Sequence, residues 1–290
     1  MALPQFKNQF RGQVSHSKDM THQKIVGKLK EIAARYPSEL IPHQMADIPR
    51  IAFNISLSIP VGTPINQAVL CDVGGGIGLF SLGCAALGFR KVILVDDFND
   101  EINHQLGESI FNIHRRYGVS IMSRNCITEG LGELGEQLDV VTSFDSMEHW
   151  HHSPKQLFHQ LMSLLNPLGL FVLGVPNCVN LRKRLTVPLG RGNWSSMQDW
   201  YEPAFFRGHV REPSVQDLSY IAKDLRLEDV RILGRNWLGY SGSGGFVRLA
   251  TRLGDSLIRW KPSLCSNLYL IGRKCGHRQH TDKSPCAKHP

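Results

Sequence analysis

Four of the five positions from 74 to 78 are glycine in the stretch Cys71-Asp72-Val73-Gly74-Gly75-Gly76-Ile77-Gly78. An apolar strand-like run precedes them and a helical run follows. Glycines at such a corner let the backbone turn tightly and let a ligand approach the main chain. A dinucleotide fingerprint needs G-x-G-x-x-G, and counting from Gly74 and Gly76 puts Leu79 at the third glycine. The spacing instead reads D-x-G-x-G-x-G, with Asp72 leading Gly74, Gly76 and Gly78. A carboxylate beside the loop disfavours a pyrophosphate and suits a cationic amino group. A second acid, Asp96, falls 24 residues after Asp72 and is followed by Asp97. A carboxylate at that strand tip can accept both hydroxyls of a ribose. An amino group and a ribose together match S-adenosylmethionine.

Histidines supply the candidates for acid–base work, because an unperturbed imidazole titrates near neutrality. His149, just beyond a predicted strand, is the leading base candidate, and His209 is the second. The alternative is structural: Glu148 and His149 orient the loop and cap the next helix. The cluster His149, His151 and His152 lacks a carboxylate or cysteine at ligand spacing, so no metal is expected.

These residues must be positioned by regular elements. Residues 21–36 place Ile25, Leu29, Ile32 and Ala33 on one helical face, with Thr21 as the cap. Pro42, Pro49 and Pro60 predict short helical pieces over 41–60. Strands are predicted at 68–71, 91–95, 119–123, 139–144 and 170–175, alternating with helices at 79–87, 100–117 and 154–165. This alternation means βαβ units and a parallel sheet covered on both faces. Residues 178–211 break the rhythm, and a helix at 214–225, a strand at 227–233, a glycine-rich turn at 239–245, a helix at 246–260 and a strand at 267–272 follow.

At these motifs the sequence resembles the class I S-adenosylmethionine-dependent methyltransferases, from about Ala68 to Lys274. It is most similar to the group containing the ubiquinone-biosynthesis O-methyltransferases. Besides the glycine loop, Leu138-Asp139-Val140-Val141 through Met147-Glu148-His149 is similar to that family's fourth strand and its "EH" ending. Leu164-Leu165-Asn166-Pro167-Leu168-Gly169 resembles an "L-K-P-G-G" turn, with Leu168 where glycine is usual. Val175-Pro176-Asn177 and Gly208-His209-Val210-Arg211 match the segments that follow. The resemblance implies an α/β, Rossmann-like doubly wound sheet of seven strands, the last antiparallel, with helices on both faces. It implies S-adenosylmethionine contacts from Asp72, Gly74, Gly76, Gly78 and Asp96, with Asp97 and Phe98 near the ribose and adenine. Asn125 stands where the family often has an acid for the adenine amino group.

Domain expectations follow: an N-terminal helical extension over 1–60, a methyltransferase domain over 61–274 with a substrate lid at 178–211, and a disordered tail over 275–290. The lid segment holds Arg182, Lys183, Arg184, Arg191, Arg207 and Arg211 beside Trp194, Trp200, Tyr201, Phe205 and Phe206. That composition suits aromatic walls around an acidic or phosphorylated acceptor. The text after strand four, Ser143-Phe144-Asp145-Ser146, lacks the D/N-P-P-aromatic motif of amino-methylating DNA enzymes. The Pro-Cys pair needed for cytosine methylation occurs only in the tail, as Pro285-Cys286, so no DNA partner is expected.

The net charge of +8 sits at the ends: residues 1–30 carry six bases and one acid, and the body is near neutral. Such termini read as solvated tails more than as a nucleic-acid face. Seven cysteines without C-x-x-C pairs suit reduced thiols and a cytoplasmic setting. No run approaches the ~18 apolar residues of a membrane span. The apolar stripe on the helix at 246–260 reads as core or as a homodimer face, with a membrane surface or a lipidic substrate as the lesser alternative. The expected function is methyl transfer to a small or medium-sized molecule, at oxygen. The alternatives are an RNA or protein methyltransferase, or a non-catalytic binding protein on the same fold.

Overall fold

The structure is a computed structural model that describes residues 15–99, 101–192, 195–237 and 254–276. Seven strands form one sheet: β1 (Val69–Val73), β2 (Lys91–Asp96), β3 (Val119–Ser123), β4 (Leu138–Phe144), β5 (Leu165–Pro176), β6 (Glu228–Arg235) and β7 (Asn267–Arg273). Their spatial order is β3-β2-β1-β4-β5-β7-β6. Strands β1 to β5 pair in parallel, whereas β7 runs antiparallel to both β5 and β6. The order reverses between β1 and β4, and in open α/β sheets ligands bind outside the strand ends at that switch point.

Alternate residues of β1 face opposite layers, as the two-residue period of a strand requires. Leu70 joins the apolar layer of α1 (Ser15–Ala33), α2 (Ile41–Leu57), α3 (Leu79–Ala86) and α4 (Glu101–Arg116). Val69, Cys71 and Val73 face the other layer, with α5 (Lys155–Leu164) and α8 (Val215–Asp224). The irregular segment between β5 and α8 holds two short helices, α6 (Leu181–Thr186) and α7 (Met197–Tyr201).

Two local expectations are corrected. Helix α1 begins at Ser15, so Thr21 lies inside it and not at its start. The stretch expected to break at its prolines is one continuous helix, α2. Pro42 sits in the first turn, where an amide hydrogen has no helical partner anyway. Pro49 is internal and costs about 3 kcal/mol. Burial of Ile48, Ile51 and Ile55 at roughly 1.5–3 kcal/mol each outweighs it. Pro60 lies beyond the helix end. The expected turn at 164–169 is also partly strand, because Leu165 pairs with Leu138 before the ladder resumes at Val140 and Leu170. Leu168 adopts φ +64°, the left-handed conformation that explains why glycine is usual there.

The glycine-rich turn at 239–245, residues 246–253 of the expected dimer-face helix, Trp194 and the tail beyond residue 276 lie outside the described residues. Among the described residues, no helix is long and apolar enough to cross a membrane.

Candidate functional site

The glycine loop leaves β1 at the switch point and enters α3, whose N-cap is Gly78. Gly74 has φ +70°, and a Cβ there would overlap the Ser146 side chain just after β4. A Cβ on Gly75 would run into the Asp72 carboxylate beneath it. Glycine is therefore required at both positions.

Asp72 is 1% exposed. It lies opposite Thr142 across the β1–β4 ladder and accepts hydrogen bonds from Thr142 Oγ1 (2.9 Å) and Ser81 Oγ (2.8 Å). Burial pushes its carboxyl up to about 6, opposed by the two hydroxyl bonds and reinforced by the nearby charge of Asp96. Asp96 ends β2 and fastens two loops: its Oδ2 accepts from the Gly76 amide (2.9 Å) and its Oδ1 from the Phe98 amide (2.8 Å). Beyond it, Asp97, Phe98, Asn99, Arg124, Asn125 and Thr128 border a cavity of about 500 Å³. Asn125 Nδ2 donates to Asp97 Oδ2 at 3.3 Å. The Phe98 ring is turned away into the core, edge-on to Phe111 at 4.8 Å, so only its backbone faces this region.

Two contacts from outside the expected motifs hold this half in place. Tyr36, at the end of the first helix, is buried and donates its hydroxyl to the Ile77 carbonyl within the glycine loop (2.7 Å). Burial holds its phenol far above the usual range. Arg50 on α2 pairs with Asp47 and with Asp145, which has φ +48° at the end of β4.

The second half of the site starts where β4 ends. Met147, Glu148 and His149 form one 3₁₀ turn. The Glu148 carbonyl accepts from the amides of Val210 (2.7 Å) and Arg211 (3.2 Å), which lays the segment before α8 against this turn. His149 and His209 thereby meet, with ring centroids 4.8 Å apart and planes at 82°. Each ring is oriented through Nδ1, His149 against the Arg207 carbonyl (2.8 Å) and His209 against Glu212 Oε1 (2.8 Å). Partial desolvation by its neighbours lowers the His149 imidazole although its edge is exposed, with the Arg207 carbonyl opposing and His209 adding to the fall. Burial raises Glu212, but its bonds to His209 and Lys183 win and hold it below the ordinary range. Glu148 is 1% exposed, and burial pushes its carboxyl up to about 7. Its Oε2 has no hydrogen-bond partner.

His151 and His152 turn elsewhere and line a recess of about 560 Å³ between the post-β4 loop, α5 and α8. In the segment 178–211, Lys183 is buried and paired with Glu212, so it is part of the frame and not a free charge. Arg184 caps backbone carbonyls of Val179 and Ser263, Arg207 lies over the Phe205 ring, and Arg211 pairs with Asp217. Trp200, Tyr201 and Phe205 are exposed. Sequence reading missed Ser81, Thr142, Tyr36, Glu212 and the convergence of Glu148 with both histidines. Only the hydroxyls near a lone buried acid could have signalled the first two.

The family described as "Methyltransferase domain" matches residues 42–232. A curated relative, the mitochondrial ubiquinone biosynthesis O-methyltransferase of Dictyostelium discoideum, is 25% identical over 123 residues. That match spans 41% of this chain and 38% of the relative. Among solved structures, a methyltransferase of Archaeoglobus fulgidus superposes with a TM-score of 0.47 at 19% identity, covering 78% of this chain and 92% of that one. A possible histamine N-methyltransferase of Thermotoga maritima gives 0.45 at 12% identity, covering 88% and 91%. With the family match running from α2 through β6 across the glycine loop and both acids, the chain belongs to the class I S-adenosylmethionine-dependent methyltransferases and is an enzyme with S-adenosylmethionine as methyl donor.

Proposed function

We propose that this enzyme methylates an oxygen of a small or medium-sized acceptor bound over the end of β4, beside His149 and His209. The observation that carries the reading is the pair of imidazoles at the cleft mouth, each fixed through Nδ1 by an oxygen acceptor. That arrangement leaves each Nε2 as the acceptor atom. The O-methyltransferase name of the Dictyostelium relative supports the same acceptor element.

S-adenosylmethionine fits the other half of the cleft. When bound it supplies an electrophilic methyl group on a sulfonium. Gly74 and Gly75 form a cradle that any Cβ would fill. Asp72, beneath that cradle, provides negative charge for the cationic amino-acid end. Asp96 is already aligned by the Gly76 and Phe98 amides to accept ribose hydroxyls. Asp97, the Phe98 backbone and Asn125 border the cavity suited to adenine. Gly76 and Gly78 contribute backbone at the loop and at the start of α3. Alignment and water exclusion supply most of the acceleration, and a positioned base adds a factor of ~10²–10⁴ for a hydroxyl acceptor.

The lid over 178–211 walls the acceptor with Trp200, Tyr201 and Phe205. Its free positive charge is smaller than composition alone suggests, because Lys183 and Arg211 are paired internally. Cys71, Cys84, Cys126 and Cys265 are buried free thiols, which supports a reducing, cytoplasmic compartment. The test is transfer of labelled methyl from the donor into a cell extract, followed by mass spectrometry of the products. Recovery of new methyl ethers, lost in His209→Ala with donor affinity unchanged, is expected. Products methylated only at nitrogen would overturn the oxygen assignment.

A further inference from the structure

We propose that the recess between the post-β4 turn, α5 and α8 is a regulatory site for an apolar molecule carrying an acidic group, an aryl or acyl carboxylate, which locks together the two segments of the acceptor half. The recess holds about 560 Å³, within the range of small-molecule sites. Its floor is apolar, formed by Met147, Trp150, Phe158, Ile221 and Leu225. Trp150 and Phe158 stand 5.9 Å apart with planes tilted by 56°, and Phe158 meets Phe171 edge-on at 5.6 Å. The aromatic floor is therefore continuous with the core under α5. A flat apolar body gains both burial and ring contact there.

The rim selects the polar end by the hydrogen-bonding capacity it has left. Both of its carboxylates are engaged. Asp217 accepts from Arg211 and from the amide and hydroxyl of Ser214, and Asp224 accepts from Lys155 and His159. Lys155 and Arg211 each give one N–H to these pairs and keep the rest of their donors. Their side chains are 61% and 78% exposed, so both can turn toward a ligand. The first turn of α5 borders the same rim and carries neither an acid nor a side-chain cap, which adds positive potential. An acidic group meets donors here, whereas a cation meets carboxylates already occupied.

The walls of the recess connect it to the cleft. Met147 and Trp150 bracket Glu148 and His149 on their turn, and Val210, Arg211 and Pro213 follow His209. The two segments are joined where the amides of Val210 (2.7 Å) and Arg211 (3.2 Å) donate to the Glu148 carbonyl. A molecule lying across Met147 and Val210 touches both sides of that joint, so its binding favours the closed joint over the open one. Occupancy then sets how firmly His209 is held beside His149. This use rests on the methyltransferase reading, but the existence of the site does not.

The probe is 2-naphthoate, titrated by calorimetry into the full chain with and without S-adenosylmethionine. One molecule per chain is expected, with the same Kd in both cases. Ile221→Trp, whose indole would fill the recess, should raise that Kd more than about 10-fold while donor heat persists and shows the variant folded. Lys155→Met/Arg211→Met should weaken 2-naphthoate roughly 3–30-fold and leave the neutral 2-naphthylmethanol unchanged. In the parent, 2-naphthoate should slow amide exchange at Val210 and Arg211 and not at Gly76. No saturable heat, a heat abolished by S-adenosylmethionine, or one retained in Ile221→Trp overturns the site. Equal affinity for the alcohol and the carboxylate overturns the acidic class. Saturable binding with unchanged exchange at positions 210 and 211 overturns the link to the acceptor half. Binding of 2-naphthoate without any donor heat supports the recess and counts against the proposed donor pocket.

Discussion

The two halves of the cleft are built on different physical terms. The donor half, at the ends of β1 and β2, is fastened by backbone amides to buried or half-buried carboxylates. Asp96 takes the Gly76 and Phe98 amides, and Asp72 lies under the loop on two hydroxyls. The acceptor half, at the end of β4, is held by backbone and histidine hydrogen bonds between segments about sixty residues apart, and it opens to solvent at His149. A rigid backbone cradle recognises one invariant small molecule. A cleft assembled from two irregular segments can be reshaped without disturbing that cradle, which is how one fold serves many acceptors.

The largest expected effect breaks the donor half alone. Asp96→Ala removes the proposed acceptor of ribose hydroxyls and the tie between two loops. Hydrogen bonds to charged groups contribute ~1.5–3 kcal/mol each, so donor affinity should fall roughly 10²–10⁴-fold by calorimetry. An unchanged Kd would erase the distinction drawn between the halves. Gly74→Ala strikes the seam, because its Cβ would overlap Ser146 and its φ of +70° is strained for alanine. A loss on the order of 3 kcal/mol is expected in denaturant unfolding, with both halves affected together.

A smaller effect is read in pH. Asp72 titrates near 6 in the folded chain and near 4 when unfolded, so the native state holds its proton more tightly. Its contribution is therefore fully present below pH 4 and is lost as pH rises through 6, by about 2–3 kcal/mol. Asp72→Asn should flatten that slope in pH-dependent unfolding, whereas His209→Ala should leave it intact. The smallest effect is a gain far from either half. Leu168 is 55% exposed at φ +64°, and Leu168→Gly should stabilise by about 1 kcal/mol, seen as a rise of a few degrees in Tm.

The elements of the proposed donor half could be read from the sequence because they are contiguous: strand, glycine corner, helix, then a second strand ending in Asp96. The alternation of apolar runs also announced the parallel sheet, and the family resemblance implied its antiparallel closing strand. What stayed hidden depends on long-range packing. Pro49 reads as a helix breaker until Ile48, Ile51 and Ile55 are seen buried against α1 and α3. The basic run Arg182-Lys183-Arg184 reads as free charge until Lys183 is found under Glu212. A histidine cluster in sequence suggested His151 and His152 as companions of His149, whereas the fold chooses His209. Neighbours in the chain need not share a face, and spacing alone has no means of bringing position 149 to position 209.

One hydroxyl ties the beginning of the chain to its chemistry. Because Tyr36 donates to Ile77, the first two helices act as a brace on the donor cradle, and strain applied to either is felt by the other. Ligand occupancy should then slow amide exchange along α2, far from any atom the ligand touches. A protein cut after residue 36 would retain its sheet, yet would grip its methyl source with a slackened hand.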